Sequence, residues 1–262
     1  MACVERASGS VITDTSLAFA VLAAAAFGAG VLNAIAGGGT FLTFPALVWA
    51  GVPPIAANAT SALAVCPGYF GSVAGFRREL AATPGAVLQR EMLVSAAGGV
   101  IGALLLLVTP ARVFAGIVPW LLLLATVLFA LGPRLARRSA GAGGSLARWR
   151  LPGLLLVTTY GGYFNGGVGI LLLALYLVAG ESRLNTANAL KNLNSAVLSV
   201  LSVAAFALGG LIAWAPALLM AVFATLGGFA GARLARWLPA AWMRAIVIAV
   251  GLVMSAVFFV RA

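Results

Sequence analysis

The chain has 262 residues, of which 63% are hydrophobic and only 8% charged, with a formal net charge of +11. A soluble domain carries about 25% charged residues, so this composition excludes an ordinary soluble core and requires a lipid bilayer as solvent. The basic excess does not mark a nucleic-acid binder, because the arginines stand singly or in pairs at the ends of apolar runs, where they act as topology signals.

The first run, residues 17–36, ends in Ala34-Ile35-Ala36 and so imitates a signal peptide with a small-residue cleavage site. A counterpart at residues 151–165 argues for its retention in the mature chain. With the stretch that follows, it forms a hairpin over residues 17–50, broken at Gly37-Gly38-Gly39 and starting and returning outside. Full spans are expected near 54–76, 92–108 and 113–132. The connection near 77–91 carries Arg77, Arg78 and Arg90, which places it inside by the positive-inside rule.

Residues 133–150 form a basic linker, with Arg134, Arg137, Arg138, Arg148 and Arg150 around a glycine-rich stretch at 141–144, and are expected in the cytoplasm. A second broken hairpin covers 151–180, with glycines at Gly166, Gly167 and Gly169, and spans follow near 184–208, 213–234 and 241–260. Arg233, Arg236 and Arg244 put the last connection inside, and both termini outside.

The two halves, 1–132 and 151–262, repeat one another. Ala57-Asn58-Ala59-Thr60-Ser61 recurs as Ala187-Asn188-Ala189-Leu190-Lys191, Gly37-Gly38-Gly39 faces Gly167-Val168-Gly169, and the glycine set from Gly98 is echoed from Gly227. The fold class that follows is an all-α polytopic membrane protein of two inverted repeats, each a glycine-broken hairpin plus three transmembrane helices. Inverted repeats around a midplane site at interrupted helices are a recurring plan of secondary transporters.

Chemistry is concentrated in few places. Cys3 and Cys66 are the only thiols, histidine is absent, and the acids are Glu5, Asp14, Glu79, Glu91 and Glu181, none within an expected span. No metal cluster can be assembled, no cofactor is implied, and no general base for an enzyme is evident. Cys66 faces Ala196 in the repeat and reads as packing. The Gly98 and Gly227 sets read as close helix packing. The two hairpin breaks, flanked by Asn33 and Asn165, read as a site. Irregular backbone in a bilayer needs a protein or water partner, and freed N–H groups of Gly38, Gly39, Gly167 and Gly169 favour an anion.

Lys191, the only lysine, lies about 10 Å along the helix that starts at Leu184, where an ammonium is costly unless compensated. Asn188, Lys191, Asn192, Ser195, Ser199 and Ser202 fall on one stripe about 80° wide. Asn58, Ser61, Tyr69 and Ser72 repeat it in the first half. A lone cation among hydroxyl and amide donors suits an anionic substrate, with Thr40, Thr60 and Tyr160 as weaker members of the set. The alternative is that Lys191 snorkels to the cytoplasmic surface.

At these residues the sequence resembles the sulfite exporter TauE/SafE family of membrane permeases. The likeness rests on Asn33-Ala34-Ile35-Ala36-Gly37-Gly38-Gly39-Thr40 leading to Pro45, then Gly51-Val52-Pro53-Pro54, residues 57–61, and Asn165-Gly166-Gly167-Val168-Gly169. The resemblance implies a bacterial inner-membrane transporter of sulfite, sulfonates or related organic anions, commonly outward. Lys191 stands where the first copy has Ser61, and Leu175 where it has Pro45. H⁺ and Na⁺ are candidate coupling ions, and an anion leaving an inside-negative cell gains about 2.3 kcal/mol per 100 mV without either. The rival classes are a membrane-embedded enzyme and a non-transporting scaffold or receptor.

Overall fold

The computed structural model describes residues 15–35, 38–139, 147–234 and 240–261, and no strand occurs among them. The helices in chain order are α1 (Thr15–Ile35), α2 (Thr40–Trp49), α3 (Pro54–Gly75), α4 (Arg77–Ala81), α5 (Gly85–Val108) and α6 (Ala111–Ser139), followed by α7 (Arg150–Tyr163), α8 (Val168–Val178), α9 (Leu184–Leu208), α10 (Trp214–Leu234) and α11 (Ala240–Arg261). Prolines set several starts, with Pro54 opening α3 and Pro84 preceding α5.

Five of the described helices are long and apolar enough to cross a membrane: α1, α5, α6, α9 and α10. α3 has 22 residues, the length of a span, but Asn58, Thr60, Ser61, Tyr69 and Ser72 give it a polar face and take it below that mark. Leu156, Trp120 and Val253 are exposed on the outer surface, as side chains facing lipid are.

Two differences from the sequence expectation concern boundaries. α6 runs on to Ser139, so the first part of the expected 133–150 linker is helix, while Gly37 and residues 140–146 lie outside the described residues. α5 begins at Gly85 and not near 92, which puts Glu91 on its second turn, 1% exposed. An acid expected in a loop is therefore buried within a membrane helix.

The packing repeats as the sequence does. α1 lies against α10 and α7 against α5; α3 packs on α10 and α9 on α5; α2 meets α11 and α8 meets α6; α3 and α9 pack on each other, as do α6 and α11. Exchanging α1 with α7, α2 with α8, α3 with α9, α5 with α10 and α6 with α11 maps this set of pairs onto itself. Two groups result, α1–α2–α3 with α10 and α7–α8–α9 with α5, each borrowing its fourth helix from the other half.

Glycines set how closely these helices approach. A Cβ on Gly30 would overlap the Ala224 carbonyl and one on Gly227 the Phe27 carbonyl; in the other group, a Cβ on Gly102 would overlap the Thr159 carbonyl and one on Gly98 the Thr158 side chain. Gly98 and Gly227 are thus packing glycines, as the sequence reading expected.

Candidate functional site

Each hairpin turns at a glycine in the left-handed region, Gly38 at φ 93° and Gly167 at φ 76°, which a side chain would strain. The breaks are tied differently. In the first, Asn33 Oδ1 accepts the Gly39 N–H at 2.8 Å; in the second, the Tyr160 hydroxyl donates to the Gly166 carbonyl at 2.8 Å. Both lie at the same place in the bundle, because the Phe41 ring packs beside Gly38 and Gly167 alike, and Thr40 Oγ1 donates to the Asn165 carbonyl at 3.3 Å. Asn58 holds the second break from α3, its Nδ2 donating to the Tyr163 carbonyl at 3.0 Å and its Oδ1 accepting the Asn165 N–H at 3.4 Å.

A cavity of about 330 Å³ opens against these breaks, within the size range of small-molecule sites. Asn33, Gly38 and Thr40 line it from the first break, Asn165, Gly167 and Gly169 from the second, and Lys191 and Asn192 from α9. α3 supplies Tyr69 and Ser72, and α10 supplies Thr225 and Phe229. Of these, Tyr69 and Ser72 belong to the stripe read from α3; Thr225 and Phe229, one turn apart on α10, carried a spacing signal that the sequence reading did not use.

Among the described residues, Lys191 is the only charged one in the cavity wall. Among the described residues its ammonium has no ion pair and no hydrogen-bond partner. Its Cδ lies 3.8 Å from where a Cβ of Gly169 would stand, so the side chain runs past the first turn of α8. There the N–H groups of Val168 and Gly169 have no acceptor among the described residues. Asn165 is 4% exposed, and both polar atoms of its side chain are unpartnered. A cation, free amides and a helix N-terminus with no carboxylate beside them form a donor set suited to an anion.

The remaining residues singled out from the sequence lie elsewhere. Gly39 and Asn58 brace the breaks, as described. Thr60 Oγ1 accepts the Ala213 N–H at 3.0 Å, and Ser61 shares a 2.6 Å hydrogen bond with Thr43, both away from the cavity wall. Asn188 caps back onto the Leu184 carbonyl at 3.0 Å. Ser195 is fully buried behind Asn192, with its hydroxyl unpartnered.

A second polar cluster, not read from the sequence, lies on a different face of α9. Glu91 Oε1 pairs with Arg150 at 2.6 Å, while Oε2 accepts from the Tyr176 hydroxyl at 2.8 Å and from Asn194 Nδ2 at 3.2 Å. Asn194 Oδ1 accepts in turn from Ser95 at 2.7 Å, and the Arg150 guanidinium sits 5.1 Å over the Tyr176 ring. The buried carboxylate is neutralised by Arg150, so it makes no claim on Lys191.

Comparison with known proteins agrees with this architecture. A family model described as sulfite exporter TauE/SafE matches residues 22–258. A probable membrane transporter protein, ORF9, of Sinorhizobium is 34% identical over 84% of this chain and 85% of its own length. The probable membrane transporter protein YfcA of Escherichia coli is 31% identical over 94% of this chain and 91% of its own, and a probable membrane transporter protein of Haemophilus influenzae is 29% identical over 90% and 92%. No solved structure matches the chain. Matched by the family model over nearly its whole length, this all-helical integral membrane protein belongs to the sulfite exporter TauE/SafE family of membrane transporters.

Proposed function

We propose that the chain carries a small anion, sulfite, a sulfonate or a related organic anion, outward across the bacterial inner membrane, and that the anion binds at Lys191 between the two broken hairpins. The observation that carries this reading is the unpartnered ammonium of Lys191 in a cavity wall without a carboxylate. Leaving such a charge uncompensated in a membrane helix costs about 2.5 to 3.5 kcal/mol on insertion scales, which a bound anion offsets. Asn192 and Asn165 supply further donors, and Gly38, Gly167 and Gly169 let backbone N–H groups come close.

The two halves are inverted repeats in this reading, and the arginine-bearing connections lie in the cytoplasm. The cavity wall reaches Gly75 and Phe76, next to Arg77 and Arg78, which in this reading supports entry of the exported anion from the cytoplasmic side. The membrane potential alone supplies about 2.3 kcal/mol per charge at 100 mV, so export needs neither H⁺ nor Na⁺ coupling.

Sulfite and a simple alkyl sulfonate are titrated against the purified protein and its Lys191→Ala variant, with thermal unfolding as the readout. A ligand that binds only the folded state raises the melting temperature, and loss of the charge-assisted contact is expected to weaken binding about tenfold or more. Equal stabilisation of both proteins would move the anion away from Lys191. Liposomes holding the protein alone separate the classes: a transporter moves the anion, an enzyme converts it, and a scaffold does neither.

A further inference from the structure

The cavity accounts for only part of a crossing. Its α9 wall stops at Asn192, while the helix runs on to Leu208. Beyond Asn192, Ser195 and Ser199 are both 0% exposed, and neither hydroxyl has a hydrogen-bond partner. At about 100° per residue both directions fall between those of Lys191 and Asn192, so the two hydroxyls continue the cavity face about 6 and 12 Å deeper than Lys191.

Five other helical hydroxyls in this protein behave differently. Thr126, Thr158, Thr225 and Ser255 each donate to the carbonyl four residues back, and so does Ser202, the next member of the same stripe. Ser195 and Ser199 forgo that bond. Alanine at either position would fill nearly the same space and remove a buried unsatisfied group, so the hydroxyls carry a stability cost that packing does not explain.

We propose that Ser195 and Ser199 form a second station on the permeation path, which receives the oxyanion from Lys191 once the path opens beyond the hairpin breaks. The proposal rests on the reading of Lys191 as the anion site. Hydroxyl donors suit an oxyanion, and a metal cation at Ser195 would stand one helical turn from an uncompensated ammonium, where like charge repels it.

The test uses the full chain in proteoliposomes with sulfite as the probe. The Ser195→Ala/Ser199→Ala double variant should lose about tenfold or more in sulfite flux, as expected for removing hydrogen bonds to a charged group. Its stabilisation by sulfite should persist, because the Lys191 site is intact, and its melting temperature without ligand should equal or exceed that of wild type. Ser202→Ala should keep flux within about twofold, since that hydroxyl is already satisfied within the helix.

Unchanged flux in the double variant overturns the proposal, as does a clear drop in its ligand-free melting temperature, which would make the hydroxyls structural. So does a flux defect seen only in sodium medium and not in choline medium, which would assign them to a cation. A wild-type protein that neither binds nor moves sulfite sinks the Lys191 reading and this proposal with it; unchanged variant flux beside an active wild type sinks this proposal alone.

Discussion

Where α5, α7, α8 and α9 meet, Glu91, Arg150, Tyr176 and Asn194 are joined by an ion pair and hydrogen bonds. At the corresponding places of α10, α1, α2 and α3, offset by 128 to 130 residues, the chain has Met220, Leu22, Leu47 and Ala64. All four are buried in one apolar cluster. The same packing is thus made once with charge and once without. A buried ion pair is a weak source of stability, because desolvation consumes most of the Coulombic gain. The polar version occurs in the group that also carries Lys191, with Asn194 less than one turn further along α9. With Glu91 neutralised by Arg150, the ammonium of Lys191 is left as the charge that faces the cavity.

The sharpest way to break this comparison is to give the second group the apolar residues of the first, one at a time. Glu91→Met alone strands the Arg150 guanidinium and should destabilise the protein by about 3 kcal/mol, the lower end for a broken buried pair, since the Arg150 side chain keeps 24% exposure. Adding Arg150→Leu should recover most of that loss. Thermal unfolding of the single and double variants decides it. If the double variant is as unstable as the single, the two clusters are not interchangeable solutions.

The glycine crossings should respond alike in both groups. Gly30→Ala and Gly102→Ala each push a methyl into a backbone carbonyl of the facing helix, Ala224 in one case and Thr159 in the other, and carbonyls within a helix cannot turn aside. Each should cost about 1 to 3 kcal/mol, the range for overpacking. Gly228→Ala, with open space at the cavity wall, should stay within about 0.5 kcal/mol of wild type. A large loss at only one of the two crossings in the same unfolding assay would show that one group tolerates separation that the other does not.

Much of this was legible in the sequence, for reasons that lie in single helices. The expected spans at 54–76 and 184–208 match α3 and α9 because apolar length and proline or glycine punctuation are local signals. The α9 stripe pointed Lys191 and Asn192 into one space because helical periodicity fixes which side chains share a face. Asn188, on the same stripe, was lost because its side chain bonds the helix backbone one turn back instead. Thr60 and Ser61 were lost to partners on α2 and before α10. The Glu91 cluster was not legible: its acid lay just outside the expected span, and its partners stand 59, 85 and 103 residues away. Only Tyr176, a lone hydroxyl in an apolar run, hinted at a buried partner.

The smallest expected effects separate the two breaks. Asn33→Ala removes the acceptor for the Gly39 N–H, and Tyr160→Phe removes the donor to the Gly166 carbonyl. Each deletes one hydrogen bond and should cost about 1 kcal/mol in unfolding experiments. Their effects on the anion should differ. Gly166 leads directly into the α8 turn that Lys191 passes at Gly169, so Tyr160→Phe loosens the backbone beside the ammonium. Gly39 opens α2, whose Thr40 reaches the site only through the Asn165 carbonyl. Sulfite titrations followed by thermal shift should therefore show a greater loss of affinity for Tyr160→Phe than for Asn33→Ala, despite the direct place of Asn33 in the cavity wall. The reverse order would seat the anion against the first break, with Lys191 acting on it from across the cavity and not holding it.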